Sequence, residues 1–239
     1  MSNIRRQSII SSLVIYTGFS VGLLNTYFFT RQGTFTKTFT EADYGLTTIF
    51  IAIATMMSAF ASMGMPSYIF KFHPYYNDNL PARKNDMITW ALLVSTIGFV
   101  LVMIAGLLLK HLVIKKFGTN APQLVTYYYW IFPMGLGLTI YTVLEAYAWS
   151  LHKSVLTNFF KEVQWRLFTT LLIVLFITNT IKDFNLFIKL YAFTYPGIAI
   201  SLFAYLFLTK KIHFTFKVSK VSRRFLKRII ALCSFVYGG

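Results

Sequence analysis

Three charged residues, Lys161, Glu162 and Arg166, stand inside a stretch that is otherwise apolar, and residues 167–181 after them carry no charge. A charge at bilayer depth costs at least a few kcal/mol, so it faces a bundle interior or a wet cavity. Guanidinium binds phosphate through two parallel hydrogen bonds, so Arg166 is read as the contact for an anionic cargo. The alternative is a self-neutralised pair with Glu162, four residues earlier on the same helical face. Lys161 adds a second cation that this one glutamate does not cancel. Glu145 stands across the next turn, within reach of Lys161, and is read as its charge partner. Lys189 completes the set of cations within apolar segments; snorkelling to the interface is the simpler reading of it.

Covalent chemistry has little to work with. All four histidines (His73, His111, His152 and His213) fall between apolar runs. No metal-ligand spacing, phosphate loop or nucleophile motif is present. The expectation is a non-enzyme with no cofactor and no metal. Cys233 is the single cysteine, so no intrachain disulfide forms.

The elements that must position these charges are membrane spans. The 239 residues are 56% hydrophobic, too apolar for an ordinary soluble domain. The net charge of +16 comes from 23 Lys and Arg against 7 Asp and Glu. These cations cluster at the ends of apolar runs, as membrane-protein loop charges do, which excludes nucleic acid as the expected partner. Uncharged runs over 7–30, 44–70, 87–109 and 117–144 each exceed the roughly 20 residues that cross a bilayer as helix. A fifth span over 155–178 carries Lys161, Glu162 and Arg166, and places Arg166 about 16 Å deep. A sixth covers 184–208. The fold class expected is an all-α polytopic membrane bundle of six helices plus the start of a seventh.

With the N-terminus on the cytoplasmic side, inner segments hold fifteen cations, outer segments six, and Arg166 and Lys189 lie within spans. That asymmetry obeys the positive-inside rule. The chain divides into a six-helix lobe (1–208), a basic linker (209–228) and the truncated start of helix seven (229–239). In the linker, Val218, Val221, Phe225 and Ile229 recur at helical spacing among lysines and arginines, predicting an amphipathic helix on an anionic inner leaflet. Pro66, Pro133, Gly135, Gly137, Pro196 and Gly197 mark expected hinges, since broken helices are frequent in alternating-access transporters. Gly18 and Gly22 form a GxxxG pair suited to close helix packing.

The run 9–29, the entry Glu41-Ala42-Asp43-Tyr44-Gly45-Leu46 and the stretch Phe60-Ala61-Ser62-Met63-Gly64-Met65-Pro66-Ser67 resemble those of lipid-linked oligosaccharide flippases. These form the polysaccharide-biosynthesis branch of the multidrug/oligosaccharidyl-lipid/polysaccharide exporter superfamily. The resemblance implies two six-helix lobes around a cationic cavity, of which this chain is the N-terminal one. Its partners would be an anionic lipid-linked glycan, membrane lipids, and a C-terminal lobe or second copy. Arg166 corresponds to the family's intramembrane cations, with Lys161 and Lys189 as weaker matches. Span one has no arginine like that of the peptidoglycan-precursor branch. The implied role is export of a lipid-diphosphate-linked O-antigen, capsule or exopolysaccharide precursor across the bacterial inner membrane. Two other readings stay open: a cation-coupled drug antiporter of the same superfamily, and a membrane-embedded glycan-assembly enzyme.

Overall fold

A computed structural model describes residues 3–30, 38–119 and 121–238. Among these, 84% of the protein is helical and no strand forms. The expected outer-loop cations Arg31 and Lys37, and the terminal Gly239, lie outside the described residues. Five helices are long and apolar enough to cross a membrane: Arg5–Thr30, Glu41–Ala61, Ala82–Leu108, Tyr128–Ser150 and Phe184–Leu208.

The chain runs through α1 (Asn3–Thr30), α2 (Glu41–Ala61), α3 (Met65–Asn79) and α4 (Met87–Leu108). The short helices α5 (Lys110–Phe117) and α6 (Pro122–Thr126) lead to α7 (Ile131–Ser150). The next helical rod is continuous but changes pitch. It comprises α8 (Ser154–Asn158), a π-helical segment (Phe159–Gln164) and α9 (Trp165–Ile177). Then follow α10 (Phe184–Ala192), α11 (Thr194–Leu208) and α12 (Lys220–Gly238).

Helix α7 is the axis of the bundle, packed by α2, α3, α4 and α11. Its span is 78% buried, against 11% for α1, so α1 is a peripheral helix and α7 a central one. Small residues set the spacing. A Cβ on Gly137 would run into the backbone of Pro196, and one on Gly98 into the carbonyl of Ala61. These two glycines let α7 approach α11, and α4 approach α2, closely enough for van der Waals packing, which drives association inside a bilayer.

Helix α2 starts with a capping box in which Thr40 and Asp43 satisfy each other's backbone amides. It ends at Ser62, where Met63 (φ 48°) and Gly64 (φ 71°) turn the chain left-handed and Pro66 sits in the first turn of α3. Glycine carries little strain there, and proline cannot continue the preceding helix.

Four boundaries depart from those expected. The second apolar run, expected unbroken over 44–70, divides at Gly64. The fourth, expected over 117–144, begins instead at Tyr128 and continues to Ser150. Absence of charge in 117–127 does not make that stretch a span, since Gly118 and Pro122 interrupt it. At its other end the span runs through Glu145, because that carboxylate has a partner. The amphipathic helix, expected from Val218 and bounded from a seventh helix at 229, starts at Lys220 and runs unbroken to Gly238. Ile212, Phe214, Phe216 and Val218 alternate with polar residues, a period suited to extended chain rather than helix. Ser219 then caps α12, its hydroxyl accepting the Ser222 amide at 3.1 Å. The apolar face of α12 lies on α3, with Val221 buried and Phe225 against Phe72 and Tyr75.

Of the expected hinges, Pro66 and Pro196 adjoin real breaks: the Met63–Gly64 turn, and the interruption at Phe193 between α10 and α11. Gly197 follows that break, its amide bonded to the Phe193 carbonyl at 2.9 Å. Pro133 lies in the first turn of α7, just after a 3-10 turn (Tyr128–Trp130). Helix α7 is unbroken at Gly135 and Gly137, where the lack of a side chain serves packing.

Candidate functional site

Arg166 stands at the start of α9, directly after the π-helical segment. Such single-turn π segments are frequent at functional sites, because the extra residue re-aims the side chains around it. Here Lys161 is aimed at α7 and Arg166 at α1. Lys161 Nζ lies 3.3 Å from a Glu145 carboxylate oxygen, tying the rod to the bundle axis. The Arg166 guanidinium pairs with the Glu162 carboxylate one turn back and donates to the Glu162 carbonyl at 2.7 Å.

Both charge partners named from the sequence are thus engaged, each by one cation. The surplus positive charge inferred from Lys161, Glu162 and Arg166 is cancelled by Glu145, and the four-residue cluster is formally neutral. Pairing lowers the cost of holding these charges among apolar helices.

Arg166 opens on a cleft of about 280 Å³ between α1, α2, α9 and α10. Gly22 makes the space: a Cβ there would come within 2.9 Å of Arg166 Nε. Gly18, one turn earlier, lets α1 close against the carbonyl of Glu162. Asn25, buried on the next turn, donates to the Arg166 carbonyl at 3.0 Å and accepts from the Thr170 hydroxyl at 2.7 Å. Thr26, Thr47, Thr48 and Thr169 add hydroxyls to the wall, and Tyr44, Trp165 and Tyr191 add aromatic surface. Trp165 is held flat against Tyr195 with ring centroids 5.3 Å apart. Each of these threonine hydroxyls donates to a carbonyl of its own helix, so the guanidinium is the group placed to hold a phosphate, with ring faces for an adjoining polar ring.

Lys161 and Lys189 do not line this cleft. Lys189 ends α10 with its ammonium 5.5 Å from the Trp130 ring centre, a cation–π contact on another face. Asn25 and the threonines were not singled out from the sequence. Their signal was available, since Gly18, Gly22 and Asn25 recur at helical spacing as a small and polar stripe along an apolar α1.

Among the described residues no group of His, Cys, Asp and Glu is placed to hold a metal ion. No protein-family model, curated protein or solved structure matches the chain.

Proposed function

We propose that this protein is one lobe of a membrane flippase that carries a lipid-diphosphate-linked oligosaccharide across the bacterial inner membrane. In this reading the rod from Ser154 to Ile177 is a sixth span, the N-terminus is cytoplasmic, and a second lobe or second copy completes the transport path. The observation that carries the reading is a guanidinium, paired with a carboxylate, that opens on a cleft between helices. Transport rather than covalent chemistry suits a site with one cation, hydroxyls and ring faces and no activated nucleophile.

Glu162 sets the terms of binding. Glu162 engages Arg166 through Nη1 alone, which leaves Nε and Nη2 to meet an anionic cargo, and in this reading the diphosphate competes with the carboxylate as counter-ion. While unloaded, Arg166 keeps a partner, and the cost of a bare buried charge is avoided. Lys161, held by Glu145, positions the rod and does not touch cargo.

The test is export of the glycan in cells carrying Arg166→Ala or Arg166→Lys. Both variants are expected to insert normally. Alanine abolishes export, and lysine retains a fraction because it keeps charge but loses two-point contact. Normal export with Arg166→Ala would sink the proposal. The antiporter reading rests on the two carboxylates at depth, Glu145 and Glu162. It predicts instead that Glu162→Gln removes transport while Arg166→Ala spares it.

A further inference from the structure

A second cavity is lined by helices that take no part in the Arg166 cleft. It is an open groove of about 660 Å³ between α3, α4 and α12, with almost wholly apolar walls that include Met63, Val94, Leu226 and Ile230. Leu226 and Ile230 stay more than half exposed on its rim. On the flank of α12 beside them, helical register places Arg223 and Lys227 one turn apart. Both are exposed, and neither has a carboxylate partner among the described residues. Trp90 also lines the groove, one turn into α4, and its buried indole N–H has no acceptor.

These features share one complement. We propose that the groove is a binding site for a single anionic phospholipid. The acyl chain fills the apolar trough, against the Trp90 ring among others, and the phosphate meets Arg223 and Lys227 on the flank of α12. Charge complementarity selects this occupant over a zwitterionic lipid, since basic pockets between membrane helices hold anionic head groups. Bound this way, the lipid ties α12 to α3 and α4. The inference does not depend on the flippase reading.

The experiment is native mass spectrometry of the purified full chain titrated with phosphatidylglycerol, or with phosphatidylcholine of the same acyl chains. The expected result is one phosphatidylglycerol retained per chain, with at least about tenfold preference over phosphatidylcholine. Arg223→Gln with Lys227→Gln, both at exposed positions, erases the preference, and Ile230→Trp, which fills the trough, lowers retention of both lipids. Equal retention of the two lipids by the unmodified chain, or a preference that survives the double substitution, overturns the proposal. So does a lipid-free dimer cross-linked through Cys233, which would assign the groove to a second copy.

Discussion

Gly22 decides whether Arg166 can occupy its position. Any larger residue there competes for the space of the guanidinium, 2.9 Å from where a Cβ would stand. Gly22→Val is therefore expected to push Arg166 out of the cleft, weakening cargo binding more than it weakens the fold. Overpacking costs about 1–3 kcal/mol, and thermal unfolding in detergent compared with binding separates the two effects. Asn25 ties the Arg166 carbonyl to α1 and receives the Thr170 hydroxyl. Asn25→Ala should cost about 1 kcal/mol, read as a lowered unfolding temperature. At this scale the sequence was half legible. A cation in an apolar run is visible without a structure, and so is its pairing with Glu162 by i,i+4 spacing. Which helix faces it is not, because α1 and α9 are far apart in sequence and their approach depends on two glycines whose packing partners only the fold supplies.

Asp86 governs an element rather than a site. It is fully buried at the start of α4, and one carboxylate oxygen accepts from the Ser219 amide at 2.9 Å and the Ser222 hydroxyl at 2.7 Å. Ser222 continues the chain of hydrogen bonds to Tyr76 and Tyr68. This one side chain pins both the extended strap and the start of α12. Asp86→Ala should release them, at about 0.5–1.5 kcal/mol for each hydrogen bond lost. Hydrogen exchange over residues 212–225 should quicken while α7 stays protected. Helix α3 also has a titratable contact. Burial, with repulsion from His152, holds the His73 imidazole below its ordinary value of 6.5, against a smaller opposing pull from Asp78. On acidification the unfolded chain then takes up this proton before the folded one. Stability is complete above pH 6.5 and declines as pH falls below it, and His73→Gln should flatten that decline in unfolding temperature. Helix existence was readable at this scale from apolar run length. The start of the fourth span and the strap before α12 were not, because charge spacing marks where helices can end and not where backbone geometry makes them end.

For the whole molecule, the five long apolar helices establish a membrane-compatible bundle, and the four-charge cluster ties a sixth rod to its axis. Close packing of α7 on α11 depends on Gly137. Gly137→Val should therefore separate these helices and destabilise the whole bundle by at least about 1–3 kcal/mol, seen as loss of a single unfolding transition. Composition revealed this scale best, since the hydrophobic content and the clustering of cations at run ends follow directly from the bilayer as solvent. The pairing of Glu145 with Lys161 was legible from sequence, and with it the cluster balances, which the count over Lys161, Glu162 and Arg166 alone left positive. The claim that matters most is that Arg166 exchanges Glu162 for an anionic cargo. Its most direct test is the binding of a polyprenyl-diphosphate-linked oligosaccharide to the chain in nanodiscs. The account predicts that Arg166→Ala weakens binding by at least about tenfold, and that Glu162→Gln, which frees the guanidinium, strengthens it. Equal affinity in all three proteins would contradict it.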